Sequence, residues 1–294
     1  FIRQEVPPQK LPEPLPADKT IPRGSIKELT AKMSKGGKLV WDVPPGKWSV
    51  VRFGHTPTGK DNHPAPLDGR GLECDKLSRK AADAMFEGLM GKLIADSKPL
   101  VGKSLVATHI DSWEVGSQNW TPAFRAEFQR LRGYDPLPFL PVMSGRVVDS
   151  LEVSERFLWD LRQVISELVV QNYAGRFREL AHKHGLRLSI EAYDGCCDDM
   201  TYAGQADEPM GEFWSLAGGE MDHRALGATA DGAADVRQRR GAGAALENEV
   251  LKRRQVGVEA VLVGVGQAVW SALVDHQRVV AHQLGRLQRS GADR

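Results

Sequence analysis

The sequence predicts an α/β fold, an incomplete (β/α)8 TIM-type barrel that follows an N-terminal Pro-rich and β-hairpin segment. Two predicted strands, 105–111 and 186–191, are separated by a long helical segment, and this order favours parallel pairing. Each strand ends with an acidic residue, Asp111 in the first and Glu191 in the second. Polar residues at the carboxyl ends of barrel strands face the ligand site, so we expect both carboxylates to lie there.

The composition restricts the class of ligand. Among 294 residues, 39 are basic and 38 are acidic, so no overall field attracts nucleic acid or an anionic membrane surface. We therefore expect neither as a partner, and a small neutral ligand suits the balance. The three cysteines match no metal-ligand spacing and no disulfide framework. No apolar run approaches the roughly 18 residues that suggest a membrane span.

The first 48 residues are expected to form a connector and a hairpin. Six prolines within residues 1–22 exclude helix and favour an extended segment. Two β-rich runs follow, 39–43 and 48–53, with a Pro- and Gly-containing turn at 44–47 between them. Residues 55–70 then predict a long loop, a feature that is usually functional or disordered.

Residues 49–214 contain the elements of the predicted barrel. A helix is expected over 76–94, and Ser150 is placed to cap a second, long helix that ends at Gly185. These residues form the two predicted apolar faces: Leu77, Ala81, Ala84, Met85, Leu89 and Leu93 in the first helix, and Phe157, Leu161, Val164, Ile165, Leu168 and Val169 in the second. In the strand between them, His109 and Asp111 share one face, while Thr108 and Ile110 share the other.

Two acidic clusters carry the chemistry that the sequence suggests. One comprises Asp111 to Glu114 and the other Glu191 to Asp194, and Trp113, Trp120 and Tyr193 interleave with them. Cleavage of a glycosidic bond usually needs two carboxyl groups, and aromatic rings beside them suit the apolar face of a sugar.

Structural roles are also open for these residues. Asp111 could cap the next helix, and Trp113 could pack in the core. A strand-end Glu191 is costly to bury unless it is paired or functional. The acidic residues Asp194, Asp198 and Asp199 could bind a hard cation or form a solvated loop. Other residues are expected to be structural: Met210, Phe213 and Trp214 in the core, and His182 and His184 at a helix end.

Whole phrases of the sequence resemble the α-L-rhamnosidases of glycoside hydrolase family 106. The resemblance is dense over about 45–214, where DSWE and QNWT are its most specific parts. The runs that carry it are PPGKWSVVRFGHTPTG (44–59), NHPAP (62–66), GRGLECDKL (69–77), HIDSWEVGSQNWT (109–121), FQRLRGYDPLPFLPV (128–142), SERFLWDLRQ (154–163), IEAYDG (190–195) and ADEPMGEFW (206–214).

The resemblance implies an inverting hydrolase that removes terminal α-L-rhamnose from plant or microbial glycans, with a calcium ion associated. It implies Glu114 and Glu191 as the catalytic carboxyl groups, without assigning acid and base between them. A periplasmic or secreted location is also implied. The residues expected to bind the sugar are Asp111, Trp113, Asn119, Trp120, Tyr193, His55, Asn62, His63 and Arg70.

Residues 215–294 form an atypical tail. From residue 222 onward the chain has no Phe, Tyr, Ile, Pro, Cys or Met, and we find no further strand that ends in Glu followed by an aromatic residue. The abrupt change suggests translation of a GC-rich gene in the wrong frame, which would leave half of the barrel missing. The alternative is a genuine tail with helical periodicity at 246–250 and 279–287.

Two further function classes stay open. A non-catalytic carbohydrate-binding barrel would keep the aromatic residues and loops without a working pair of acids. A retaining glycosidase of another barrel family would hold its two carboxyl groups about 5 to 5.5 Å apart.

Overall fold

The computed structural model describes residues 13–62, 65–193, 195–211, 256–263 and 280–288. The strands of these residues are β1 (Ile26–Glu28), β2 (Lys47–His55), β3 (Ala107–Ile110), β4 (Arg187–Glu191), β5 (Glu208–Met210), β6 (Val256–Val263) and β7 (Val280–Gln288). Their α-helices are α1 (Arg79–Phe86), α2 (Lys92–Asp96), α3 (Phe124–Arg132), α4 (Leu151–Leu168), α5 (Gly175–Lys183) and α6 (Asp199–Ala203). None of these helices is long and apolar enough to cross a bilayer.

A parallel sheet of order β3-β4-β5 positions the strand-end carboxylates. In the pairing of β3 with β4, His109 lies opposite Ser189 and Ile110 opposite Ile190. The expected parallel pairing is therefore confirmed. The strand β5 adds a third parallel strand, in which Met210 lies opposite Glu191. Met210 was expected in the core, but its side chain is exposed, so that expectation is wrong.

A second sheet is antiparallel, with order β1-β6-β2-β7. Its strand β2 includes the predicted run 48–53. The run 39–43 forms no strand, and only Leu39 makes an isolated bridge, to Met33. Pro44 and Pro45 follow it directly and lack the amide protons that a ladder needs, so the predicted hairpin is wrong.

The tail contributes β6 and β7 to this sheet. The helical alternative for 279–287 is wrong, because Val280–Gln288 is a strand paired with Lys47–Gly54 of β2. Gly285 within that run weakens a helix by about 1 kcal/mol relative to Ala. The other predicted helical run, 246–250, lies outside the described residues.

The long helix is confirmed. It comprises α4, a π-helical segment Val169–Ala174 and α5. The hydroxyl of Ser150 accepts a hydrogen bond from the amide of Val153 at 3.2 Å and so caps it. All six residues of its predicted apolar face are buried, and Gly185 ends it at a φ of 69°.

The helix before β3 comprises α1, a π-helical segment Glu87–Gly91 and α2. It buries Ala82, Phe86 and Met90, whereas Met85, Leu89 and Leu93 are exposed. The predicted face is therefore wrong for these residues. The ring of Phe86 packs on Phe177 of α5, with ring centroids 5.7 Å apart. This contact turns the stripe of Ala82, Phe86 and Met90 toward the core. We call Met85, Leu89 and Leu93 the exposed stripe.

Candidate active site

The carboxyl ends of β3 and β4 bring three titratable side chains together. His109, Asp111 and Glu191 each offer a ligand atom, and these atoms lie within 4.8 Å of one another. We call them the strand-end cluster. The structure thus places Asp111 beside Glu191, as expected. The helix-cap alternative for Asp111 is wrong, because α3 begins only at Phe124 and Ala123 is at its N-cap position.

Glu191 is held from two sides. The hydroxyl of Tyr193 donates a hydrogen bond of 2.6 Å to its Oε2 atom. On the other side, the Nε2 atom of His109 lies 3.8 Å from its Oε1 atom. The Nδ1 atom of the same imidazole is 2.9 Å from the hydroxyl oxygen of Ser189, which fixes the ring. The carboxylate therefore has a defined orientation.

His109 and Ser189 were not predicted as site residues. The sequence contained one signal for His109, because it shares a strand face with Asp111. Ser189 carried the same kind of signal, because it shares a strand face with Glu191. Its role depends on the register that sets it opposite His109, and register between distant strands is a tertiary property.

The segment between β3 and α3 presents the other predicted acid. Glu114 is exposed, and its carboxylate makes no hydrogen bond or ion pair to another residue of the described ranges. Trp113 is half-buried, and its indole donates a hydrogen bond of 2.5 Å to the carbonyl of Gly116. The ammonium of Lys76 lies 5.4 Å from the centroid of the same ring. Trp113 is thus anchored partly against the core.

Asn119 and Trp120 follow in the same segment and differ in environment. Trp120 is buried, and its ring centroid lies 4.6 Å from that of Phe124 in the core. Trp120 was expected to bind the sugar, but the structure places its ring against the core, which leaves little exposed surface for stacking. The Oδ1 atom of Asn119 is buried and has no hydrogen-bond partner among the described residues. Such an acceptor is available to a ligand or water.

The predicted loop carries His55, Asn62 and Arg70, whereas His63 lies outside the described residues. The Nε2 atom of His55 is also buried and without a partner in the described part of the chain. Burial lowers the pKa of His55, and the negative charge of Asp75 partly opposes this effect. Asn62 bonds within the loop, to the carbonyl of Gly69 and the amide of Gly71. Arg70 is exposed.

A largely buried polar network connects the residues between this loop and α1 to the segment after β3. The carboxylate of Asp75 accepts hydrogen bonds from Gln118 and, at 2.6 Å, from Thr121. The buried ammonium of Lys76 pairs with Glu73. These residues were not predicted as a unit, although ECDKL and SQNWT had been quoted for the resemblance. We call this group of five residues the buried network.

Asp198 and Asp199 belong to no group of possible metal ligands among the described residues. Asp198 caps α6, and its carboxylate accepts a bond of 2.8 Å from the amide of Thr201. Hydrogen bonds from the Thr201 hydroxyl and amide lower the pKa of Asp198. Asp194 lies outside the described residues. Ca²⁺ takes six to eight oxygen ligands, and the strand-end cluster supplies an imidazole nitrogen and only two carboxylates.

Comparisons with known proteins identify relatives of this chain. A protein of Formosa agariphila named "Putative beta-glucuronidase" is 47% identical over 201 residues, which are 68% of this chain and 17% of that protein. The structure of a rhamnosidase from Novosphingobium sp. PP1Y aligns with a TM-score of 0.58 and 32% identity, and covers 67% of this chain and 20% of that one. The chain thus spans about a fifth or less of the length of these relatives.

The family model for the alpha-L-rhamnosidases of glycoside hydrolase family 106 matches residues 4–246. The match passes residue 220, where the resemblance was expected to end, and includes the DSWE and IEAYD motifs of the strand-end carboxylates. The extent of this match shows that the chain belongs to the alpha-L-rhamnosidase family GH106.

Proposed function

We propose that this chain carries the strand-end carboxylates of an inverting α-L-rhamnosidase, a glycoside hydrolase that removes terminal α-L-rhamnose from a rhamnose-containing glycan. One observation carries the proposal. In a member of this family, Glu191 ends a parallel strand beside Asp111 and is fixed by the hydroxyl of Tyr193 at 2.6 Å. Barrel enzymes bind substrate at the carboxyl ends of their parallel strands, and this carboxylate lies at such an end.

The fold proposed for the intact enzyme is a TIM-type barrel. The parallel order β3-β4-β5, with helices between the strands, supports it. The exposed stripe supports it as well, because a helix on the outside of a barrel packs against neighbours on both sides. A closed barrel would cover this stripe and pair the edges of β3 and β5, which have no partner strand among the described residues.

Within this site, Glu191 is proposed as the general base. The hydroxyl of Tyr193 donates a hydrogen bond to one oxygen of the Glu191 carboxylate and so orients it. As the base, Glu191 takes a proton from the water that attacks the anomeric carbon. Glu114 is proposed as the general acid that protonates the leaving oxygen. An inverting mechanism expects these carboxyl groups to lie about 6.5 to 9.5 Å apart when substrate is bound.

Sugar recognition is assigned to polar atoms that the fold leaves without partners. The Nε2 atom of His55 and the Oδ1 atom of Asn119 are buried and unpaired among the described residues. Buried polar atoms normally form hydrogen bonds, and sugar hydroxyls can both donate and accept them. Because burial lowers its pKa, His55 is neutral at pH 7 and offers either a donor or an acceptor. A periplasmic or secreted location is proposed from the resemblance alone.

The experiment compares hydrolysis of an aryl α-L-rhamnoside with that of an aryl β-D-glucuronide by the full chain. The second substrate tests the name of the Formosa relative. We expect preference for the rhamnoside, with β-L-rhamnose as the first product in NMR spectra. Glu191→Gln and Glu114→Gln should each abolish turnover and preserve rhamnose binding. His182→Ala, at a histidine outside the strand-end cluster, should leave both unchanged. Preference for the glucuronide, or rhamnose binding with no turnover, would refute the proposal and favour a glucuronidase or a binding module.

A further inference from the structure

The segment between β3 and α3 carries two of the proposed site residues but has no regular structure of its own. Residues 111–123, all within the described part of the chain, form neither helix nor strand, and they include Glu114 and Asn119. We call them the β3–α3 segment. Without the repeated backbone bonds of a helix or strand, its position depends on side chains that tie it to the rigid fold. Groups at an active site need such supporting contacts to stay in a productive position.

Asp75 is the centre of these supporting contacts. Its Oδ1 atom accepts hydrogen bonds from the side-chain amide of Gln118 and, at 3.0 Å, from the backbone amide of Leu77. Its Oδ2 atom accepts a bond of 2.6 Å from the hydroxyl of Thr121. Gln118 also bonds a second time, because its Oε1 atom accepts a bond of 3.2 Å from the amide of Lys76. One carboxylate thus fixes the β3–α3 segment at two points, through side chains of residues that are 5% and 2% exposed.

Asp75 is itself tied to the core and can therefore act as a fixed support. The neighbouring Leu77 is buried, and its carbonyl accepts a bond of 2.8 Å from the side-chain amide of Asn172, in the π-helical segment that follows α4. The buried ammonium of Lys76 lies 5.4 Å from the ring centroid of Trp113 in the β3–α3 segment. These residues therefore join the long helix on one side to the β3–α3 segment on the other.

We propose that Asp75 is a positioning residue of the hydrolytic site, which acts through Gln118 and Thr121 to hold Glu114 and Asn119 in place. The catalytic consequence rests on the proposed function, in which Glu114 gives its proton to the glycosidic oxygen as the bond from that oxygen to the anomeric carbon breaks. A misplacement of about 1 Å at such a group can cost about a hundredfold in rate. Both carboxylate oxygens of Asp75 are already hydrogen-bonded, so its role is support and not proton transfer.

Hydrogen exchange of the full chain, followed by mass spectrometry, tests the support without any substrate. Thr121→Val keeps the shape of the side chain and removes its hydroxyl, whereas Thr121→Ser keeps the hydroxyl. The amides of the β3–α3 segment should exchange about tenfold faster or more in Thr121→Val, and at nearly the original rate in Thr121→Ser. Gln118→Met removes the other side-chain bond to Asp75 and should act in the same direction.

The matched control is Ser154→Ala. Ser154 is 4% exposed, and its hydroxyl bonds to the carbonyl and the amide of Val148, away from Asp75. Its loss should lower the stability of the chain and leave exchange in the β3–α3 segment unchanged. A faster exchange that is common to Ser154→Ala and Thr121→Val would reflect general destabilisation and would overturn the proposal.

Turnover of two aryl α-L-rhamnosides by the full chain tests the catalytic consequence. The 2,4-dinitrophenolate group leaves without a proton, whereas phenolate needs one from Glu114. Thr121→Val should therefore lower kcat by about tenfold or more for the phenyl rhamnoside and by less than about twofold for the dinitrophenyl rhamnoside. Thr121→Ser should restore the rate with the phenyl substrate. Loss of folded chain would instead lower both rates by the same factor.

The proposal is overturned if Thr121→Val and Gln118→Met leave exchange in the β3–α3 segment at the original rate, or if Thr121→Val slows both substrates equally. If the original chain hydrolyses neither rhamnoside, the proposed function fails, and the exchange rates alone then decide whether Asp75 positions the segment.

Discussion

Removing the charge of Lys76 should destabilise the chain far more than removing an exposed charge. Lys76 is 5% exposed, and its ammonium pairs with Glu73 and lies 5.4 and 5.2 Å from the ring centroids of Trp113 and Tyr173. The change Lys76→Met conserves the length of the side chain but leaves Glu73, with its side chain 16% exposed, without its cation. Breaking a buried ion pair in this way costs about 3 to 5 kcal/mol. That is a large part of the roughly 5 to 15 kcal/mol that stabilises a domain.

The assay is urea unfolding followed by tryptophan fluorescence, with linear extrapolation to water. The matched control is Arg156→Met, since Arg156 and Glu152 form a pair at 3.4 Å with side chains 79% and 77% exposed. Loss of such an exposed pair should cost less than about 1 kcal/mol. The double variant Lys76→Met with Glu73→Leu should recover part of the stability, because no charge is then buried alone. The reasoning is refuted if Lys76→Met costs no more than the control, or if the two changes are additive.

Three further predictions follow from the site and the tail. Tyr193→Phe removes the hydrogen bond to the Glu191 carboxylate, and a bond to a charged group contributes about 1.5 to 3 kcal/mol. The kcat for rhamnoside hydrolysis should therefore fall by about tenfold or more, with little change in KM. An unchanged kcat would show that Tyr193 has no part in the mechanism. Hydrogen bonds from Thr201 hold the pKa of Asp198 in the folded chain below the ordinary value of 3.8. Asp198 therefore stabilises the fold above that value, and the stabilisation is lost as the pH falls through the lowered pKa. In Asp198→Asn, the urea midpoint should fall less between pH 5 and pH 2 than in the original chain. The difference should be small because Asp198 is exposed. Identical pH profiles for the two chains would contradict the prediction. DNA sequencing across codons 205–240, with translation in all three frames, tests the frameshift hypothesis for the tail; strand patterns and a strand-end Glu in another frame would support it, and their absence from every frame would show that the tail is genuine.

The sequence predicted those parts of the fold in which local pattern and tertiary packing agree. The helix after Ser150 is an example, because its cap, its apolar face and its terminal Gly185 all indicate the same element. The helix before β3 is apolar over two adjacent stripes, and periodicity alone does not choose between them. The contact of Phe86 with Phe177, two residues far apart in the chain, determines which stripe is buried.

The same limit applies to the site. Strand alternation placed Asp111 and Glu191 at one edge of the sheet, because that property is local. The buried packing of Trp120 on Phe124 and the hydrogen bond between His109 and Ser189 depend on which segments meet in space. An aromatic residue beside an acid has the same appearance in the sequence whether it faces a ligand or the core.

The bond between His109 and Ser189 also makes the site dependent on strand register. These residues lie opposite each other in the pairing of β3 with β4. A slip of one residue would turn every side chain of a strand to its other face, so His109 would lose Ser189 and Glu191 together. The environment of the His109 imidazole therefore shows whether β3 and β4 have paired in the correct register. Its NMR signals would distinguish a correctly paired sheet from a compact but mispaired one, even in a chain that hydrolyses nothing.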